Sequence, residues 1–192
     1  MERTHTHIRA SLSRRKPGEL VFPREYRGHG TEAAIKKAMS RLVTEGKVRR
    51  LSHGIYYVPK VDPVFGEIRP SAEEVVKMIA KKDKVRIRPT GAYALHRLGL
   101  TTQVPIKLVY ITDGTSKKFR IGKLPVMFKA TSHRKLAMKG EISSLLIQAL
   151  EELGKNDIDP SITQKISQLL EKENPKILKH DLSLAPAWIN DF

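Results

Sequence analysis

The stretch "TEAAIKKAMSRLVTEGKVRRLSHGIYYVPK", from Thr31 to Lys60, decides the fold of the amino-terminal part of the chain. Thr31 is a residue type that caps helices, and after it apolar residues recur at the spacing of one buried helical face: Ile35, Ala38, Met39, Leu42 and Val43. Gly46 ends this helix. Two β-type runs, "KVRRL" and "IYYV", are joined by residues 52–54, with Gly54 supplying the tight turn. The stretch therefore predicts a helix followed by a β-hairpin.

The face of this helix opposite the apolar stripe carries no acidic residue. An ordinary solvated face mixes charge signs, so this one favours an anionic partner. A helix fits the major groove of DNA, and a basic hairpin beside it can lie along a phosphate backbone or reach the minor groove. On the helix we predict contacts to bases from Ala33, Lys37 and Ser40, and contacts to phosphates from Lys36, Arg41 and Thr44. On the hairpin we predict contacts from Lys47, Arg49, Arg50 and His53. Tyr56 and Tyr57 should point to opposite sides, with one of them closing the core.

Two shorter helical segments precede this stretch, one over residues 4–12 and one in "PREYR", which begins at Pro23. Together they predict a winged helix-turn-helix over residues 1–60. The next segment, residues 59–70, contains three prolines and a glycine and is predicted to be a linker. Residues 61–192 are predicted to form an α+β domain, with a small antiparallel sheet followed by carboxyl-terminal helices.

Charge supports a polyanionic partner. The chain has 36 Lys and Arg residues against 20 Asp and Glu residues, a net charge of +16, and residues 1–60 carry 14 of the basic and 5 of the acidic residues. Such a field attracts nucleic acid first and anionic lipid second. The chain has no cysteine and no apolar stretch of the roughly 20 residues that span a bilayer, so we expect a cytoplasmic protein with no membrane partner.

Catalytic and cofactor motifs are missing from the sequence. There is no phosphate-binding loop, dinucleotide fingerprint or nucleophilic triad pattern. Asp113, followed by Lys117 and Lys118, has the acid and lysine types of a nuclease site, but one carboxylate cannot make a metal site and a turn explains Asp113 better. We therefore expect no enzyme activity, no catalytic residue, no metal and no cofactor.

The run "RPTGAYALHRLGLTTQVPIKLVYITDGTSKKFRIG", residues 88–122, together with "RRLSHGIYYVPK" before it and "DLSLAPAWI" after it, resembles the AbiEi-type antitoxins of bacterial type IV toxin-antitoxin (abortive infection) systems. The resemblance implies an amino-terminal domain that binds inverted repeats in the promoter of its own operon and represses it. It also implies a carboxyl-terminal domain that confers antitoxicity. The implied functional partner is a nucleotidyltransferase-like toxin, countered without a stable complex, and an inverted repeat would suit a homodimer on DNA.

The resemblance places the basic helix on the family's recognition helix and the hairpin on its wing. For antitoxicity it points only to the polar neighbourhood of Thr90, Tyr93, His96, Gln103 and Asp113. Two alternatives stay open: a basic winged-helix adaptor or other regulator without a toxin partner, and an accessory subunit of a nuclease or nucleotidyltransferase. For the antitoxin interpretation, the resemblance implies a role in phage defence.

Overall fold

Helices and short strands alternate along the chain, and the computed structural model, which describes residues 2–190, has an α+β fold. The described α-helices are α1 (Glu2–Leu12), α2 (Glu32–Thr44), α3 (Ala72–Asp83), α4 (Ala92–Arg97), α5 (His133–Leu136), α6 (Glu141–Leu153), α7 (Pro160–Leu170), α8 (Pro175–Ser183) and α9 (Ala187–Asn190). The strands are β1 (Leu20–Val21), β2 (Arg49–Ser52), β3 (Ile55–Tyr57), β4 (Lys60–Asp62), β5 (Gly66–Ile68), β6 (Ile87–Pro89), β7 (Leu108–Thr112), β8 (Lys117–Ile121) and β9 (Leu124–Ala130). Two 3-10 helices cover Pro23–Tyr26 and Lys155–Asp157.

The chain divides into two compact units. Among the described residues, the first comprises residues 2–79 with Arg120–Lys123, and the second comprises Ala80–Phe119 with residues 124–190. The boundary drawn from the sequence, between residues 60 and 61, lies inside the first unit. The helix α3 runs across the division at Ile79.

The first unit packs α1, a 3-10 helix and α2 with an antiparallel sheet of order β1-β3-β2. Its core is built from the apolar faces of both helices and the inner residues of the sheet: Ile8, Leu12, Val21, Tyr26, Ile35, Ala38, Met39, Leu42, Val48 and Tyr56. Of the two tyrosines predicted to point to opposite sides of the strand, Tyr56 belongs to this core. Tyr57 is buried as well, at 1% exposed against 9% for Tyr56, and its hydroxyl donates a hydrogen bond to Glu67 of β5 at 2.9 Å.

The predicted linker between Pro59 and Pro70 is instead a β-hairpin of β4 and β5, with Lys60 opposite Ile68 and Asp62 opposite Gly66. The Asp62 carboxylate accepts hydrogen bonds from the backbone N–H groups of Val64 and Phe65 at 2.9 and 3.0 Å, which closes the turn. These hydrogen bonds lower the pKa of Asp62. Prolines at turn and edge positions are compatible with such a hairpin.

The second unit contains a four-stranded sheet of order β6-β7-β9-β8. The prediction of an antiparallel sheet is correct for β6 with β7, but β7 and β9 are parallel, with Leu108 opposite Val126. Helix α6 is the centre of an apolar cluster with residues from α4, α7 and the carboxyl-terminal segment. Trp188, the only tryptophan of the sequence, lies half-buried against that cluster.

A buried carboxylate organises the amino-terminal end of α6. Asp181, which is 0% exposed, accepts hydrogen bonds from the backbone N–H groups of Lys139 and Gly140 at 2.7 and 2.8 Å and from the Ser143 hydroxyl at 2.6 Å. Glu173 accepts two more, from the N–H groups of Ile142 and Ser143. The free N–H groups that open a helix are thereby satisfied by side chains distant in sequence. None of the described helices is long and apolar enough to cross a membrane.

Candidate nucleic-acid interface

The residues predicted to contact DNA from α2 do lie on its outer face. The Thr31 hydroxyl caps the helix by accepting the Ala34 N–H at 3.2 Å, and Ile35, Met39 and Leu42 are buried. A helix buried along this stripe must turn its other face outward. The exposed residues of that face are Ala33, Lys36, Lys37, Ser40, Arg41 and Thr44.

One acidic residue, Glu32, lies beside this outer face. It was not among the residues that the sequence assigned to the face. Glu32, in the first turn, accepts an ion-pair contact from Lys36 Nζ at 2.7 Å, and both side chains are exposed. The hydrogen bond from Lys36 and its charge lower the pKa of Glu32. Lys37 and Arg41 lie on the same face, and Glu32 does not neutralise their charges because it pairs with Lys36.

The β2–β3 hairpin turns at residues 53–54, and Gly54 has a φ of 70°, the left-handed conformation that glycine adopts most readily. Arg50 is exposed, and its guanidinium lies 3.4 Å from the Ser52 carbonyl oxygen and 3.4 Å from Nδ1 of His53, which is also exposed. These long contacts leave the guanidinium and imidazole at the surface. Lys47, also exposed, precedes β2.

Arg49 occupies a different position from Arg50. Its Nε and Nη2 atoms both lie 2.9 Å from Oε2 of Glu67 on β5, and the Tyr57 hydroxyl donates to Oε1 of the same carboxylate at 2.9 Å. Hydrogen bonds from Arg49 and Tyr57 lower the pKa of Glu67. Burial, followed by the bond to Glu67, raises the pKa of Tyr57. Arg49 therefore fastens the β4–β5 hairpin to the sheet of the first unit.

A cavity of about 510 Å³ opens between α2, the 3-10 helix and the β2–β3 hairpin. Four of the residues predicted to bind DNA line it, namely Lys36, Ser40, Arg50 and His53. Lys37, Arg41, Thr44 and Lys47 are exposed outside its lining. The Thr44 hydroxyl donates to the Ser40 carbonyl oxygen at 3.3 Å, so it is already engaged within the helix.

Two further arginines line the same cavity, and neither was predicted from the sequence to contact DNA. Arg24 lies in the 3-10 helix, with its guanidinium carbon 5.1 Å from the centre of the Phe22 ring, and Arg27 is exposed at the end of that helix. The sequence does contain a signal for them, because both arginines lie in "PREYR", the short segment that ends directly before Gly28 and leads into α2. Including them extends the basic surface from the hairpin to the 3-10 helix.

The five residues suggested for antitoxicity do not form one cluster. Thr90, Tyr93 and Gln103 line a cavity of about 690 Å³ in the second unit, whereas His96 and Asp113 are outside its lining. Asp113 accepts hydrogen bonds from the backbone N–H and the Nε of Arg86 at 2.7 and 2.8 Å. These bonds lower its pKa and fix the end of β7 beside the segment that leads into β6. Across residues 2–190, no group of three or more His, Asp or Glu side chains is placed to hold a metal ion.

Comparison with known proteins gives two results. A family model described as "Family of unknown function (DUF6088)" matches residues 7–178. The solved structure of the RV2827C protein from Mycobacterium tuberculosis is similar at a TM-score of 0.46 and 12% identity, over 96% of this chain and 78% of that chain. That score is too low to establish a shared fold. No curated protein matches the chain.

Proposed function

The chain belongs to the DUF6088 family, whose function is unknown, and we propose that it binds double-stranded DNA through the basic surface formed by α2, the β2–β3 hairpin and the 3-10 helix. The observation that carries the proposal is the exposure of Lys37 and Ser40 in the middle of the outer face of α2. A helix enters the major groove only with such a face turned outward.

The order of elements supports a winged helix-turn-helix interpretation of this surface. The chain runs α1, β1, a 3-10 helix, α2, β2 and β3, with a sheet order of β1-β3-β2. In this interpretation α2 is the recognition helix and the β2–β3 hairpin is the wing. The wing contacts to phosphate then come from Arg50 and His53, while Arg49 supports the wing through Glu67.

The resemblance of residues 88–122 to AbiEi-type antitoxins extends the proposal to a biological role. The chain would repress its own operon from an inverted repeat and counter a nucleotidyltransferase-like toxin encoded beside it, without forming a stable complex. The support for this part is the resemblance alone. It is tested by expressing the product of the neighbouring reading frame with and without this chain: relief of growth arrest supports the role, and unrelieved arrest or no arrest contradicts it.

A mobility-shift assay on the region upstream of the chain's own gene tests DNA binding. We expect the full chain to shift this duplex and Lys37→Glu to abolish the shift, because the substitution puts a negative charge on the face that must enter the groove of a polyanionic duplex. Lys118→Glu is the matched control, an equal charge change at an exposed residue of β8. Equal loss in both variants, or no shift by the unmodified chain, would contradict the proposal.

A protein-binding adaptor is the alternative that one observation favours. The β4–β5 hairpin exposes Val61, Val64 and Phe65 by 71%, 81% and 82% of their surfaces, and exposed apolar groups often mark protein contacts. An adaptor would lose its partner on Phe65→Ser and keep it on Lys37→Glu. A DNA-binding regulator would show the opposite pattern for its operator.

A further inference from the structure

The second unit contains a cavity that the DNA-binding proposal does not use. Its volume is about 690 Å³, within the range of small-molecule sites. One wall is a sheet face made by Val109 and Ile111 of β7 and Met127 and Lys129 of β9. Side chains alternate along a strand, so the intervening Tyr110 and Phe128 face the other way, where their rings meet at 6.0 Å.

The wall formed by α6 carries a buried amide with an unsatisfied group. Gln148 is 1% exposed and lines the cavity, and its Oε1 accepts a hydrogen bond from the Thr90 hydroxyl at 3.0 Å. Its Nε2 has no hydrogen-bond partner among the described residues. Leaving a buried polar group unpaired costs about 1–3 kcal/mol, so a ligand that supplied an acceptor would recover that loss.

Backbone pairing brings this amide close to the apolar wall. The Thr90 N–H donates to the Val109 carbonyl oxygen at 3.0 Å, and Val109 is paired with Met127 across the parallel strands. Lys129 follows Met127 by two residues on the same face of β9, a separation of about 7 Å along the strand. A small molecule that contacts the Gln148 amide at one end of the wall can therefore contact Lys129 at the other end.

The charged residues of the lining leave a positive excess. Three lysines and two glutamates line the cavity, and Lys135 forms an ion pair with Glu151. Lys129 is exposed, and no ion pair joins it to any of residues 2–190. An unpaired ammonium group beside an apolar wall suits an anionic ligand with an apolar body.

We propose that this cavity binds a small organic anion, with its apolar body on Val109, Ile111 and Met127, its acidic group at Lys129 and an acceptor atom at the Gln148 amide. The exposed side chains of Val104 and Ile106, at 76% and 86%, belong to the lining at its rim and would be covered by such a ligand. The ligand site lies entirely in the second unit and is independent of the DNA-binding surface.

The test uses 1-anilinonaphthalene-8-sulfonate, an aromatic anion that fluoresces in apolar surroundings, titrated into the full chain. We expect saturable binding, weakened about fivefold or more by Lys129→Ala and about tenfold or more by Met127→Trp, which fills the cavity. Lys118→Ala, outside the lining, and Phe65→Ser, on the exposed hairpin, are controls that should leave this binding unchanged. Thermal melting establishes that each variant is folded.

Nuclear magnetic resonance of the Gln148 side-chain amide supplies a second measurement that needs no variant of the cavity wall. Addition of the same anion should shift its two amide protons and leave the exposed Gln164 amide unchanged. The proposal is overturned if the wild-type chain shows no saturable binding. It is also overturned if folded Lys129→Ala binds as the wild type does, or if the Gln148 resonances do not move.

Discussion

Two neighbouring arginines on one strand have different contacts because a strand alternates its faces. Arg50 lies exposed beside His53, whereas Arg49 is held by Glu67 and lies only partly exposed. From the sequence both were predicted to contact DNA. The residue that separates them, Glu67, is 18 positions away, so no local pattern indicates which arginine is engaged within the protein.

Arg50→Ala should weaken DNA binding without destabilising the fold. The lost group is an exposed cation, and each phosphate contact contributes about 0.9 to the slope of log affinity against log salt. We expect that slope to fall by about this amount, measured by fluorescence anisotropy between low and physiological salt. Thermal melting should be unchanged. An unaltered slope would show that Arg50 does not neutralise phosphate.

Arg49→Ala should act on the protein rather than on DNA. Removing its guanidinium leaves Glu67 with the Tyr57 hydroxyl alone, so β5 loses its main attachment to β2. We expect faster amide hydrogen exchange in β4 and β5 and an unchanged salt slope. A slope reduced as much as in Arg50→Ala would contradict this assignment and would place Arg49 on the DNA.

Ser40→Ala should alter sequence preference more than affinity. Ser40 lies in the middle of the outer face of α2 and lines the cavity beside the hairpin, where a hydroxyl can meet a base edge. We expect a change of about 1–3 kcal/mol in discrimination at one base pair, measured on a set of operator duplexes with single substitutions. A uniform loss across all duplexes would instead indicate a phosphate contact.

At the scale of elements, helix caps and tight turns could be predicted from the sequence because they depend on residues that are close together in the chain. Thr31 caps α2 and Gly54 turns the β2–β3 hairpin, as predicted. Ser71 and Glu74 form a capping box at α3, another local signal, in which each side chain accepts the other residue's backbone N–H, at 3.2 and 2.7 Å. The β4–β5 hairpin was missed because its prolines and glycine are typical of linkers. Its turn depends on Asp62, which accepts two backbone N–H groups.

Pairings between distant segments could not be predicted in this way. Strand β1 has two residues and exists only because Leu20 and Val21 pair with β3. The parallel pairing of β7 with β9 depends on how the chain crosses the sheet, and side-chain alternation is the same in either direction. For the candidate site, exposure of the α2 face was predictable, whereas the separation of Asp113 from Thr90 and Tyr93 was not.

The buried carboxylate at α6 gives a prediction about stability. Asp181→Ala would leave the N–H groups of Lys139 and Gly140 unpaired and remove a counter-charge from Arg88, whose own pKa is lowered by burial. We expect a loss of about 3 kcal/mol in the free energy of unfolding, measured with urea. Asp157→Ala, an exposed residue of the same unit, is the control. A loss as small as the control's would contradict the structural role of Asp181.

The same carboxylate should make stability depend on pH. Burial raises the pKa of Asp181, but hydrogen bonds from Ser143, His180 and the backbone outweigh burial and lower it below the ordinary value of 3.8. A lowered folded-state pKa stabilises the protein above the unfolded-state pKa, and the stabilisation is lost as pH falls through the folded value. We expect thermal melting of Asp181→Asn to change less than that of the wild type below about pH 4. Parallel pH profiles would contradict this.

At the scale of the whole molecule, the positive charge is concentrated in the first 60 residues, which contain the proposed interface. The first 60 residues hold 14 of the 36 basic residues and only 5 of the 20 acidic ones. Within the structure, several of these acids are engaged by nearby cations, as Glu19 and Glu25 are by Arg15. The cations of the 3-10 helix, α2 and the hairpin therefore dominate the field that a duplex meets.

The salt dependence of binding to the upstream duplex tests the central claim most directly. Six cations lie on this surface, namely Arg24, Arg27, Lys36, Lys37, Arg41 and Arg50. At about 0.9 per contact we predict a slope near 5 per protomer, with affinity for the upstream duplex at least about 10³-fold above that for a shuffled duplex. Equal affinity for the two duplexes, or binding that does not weaken with salt, would contradict the account.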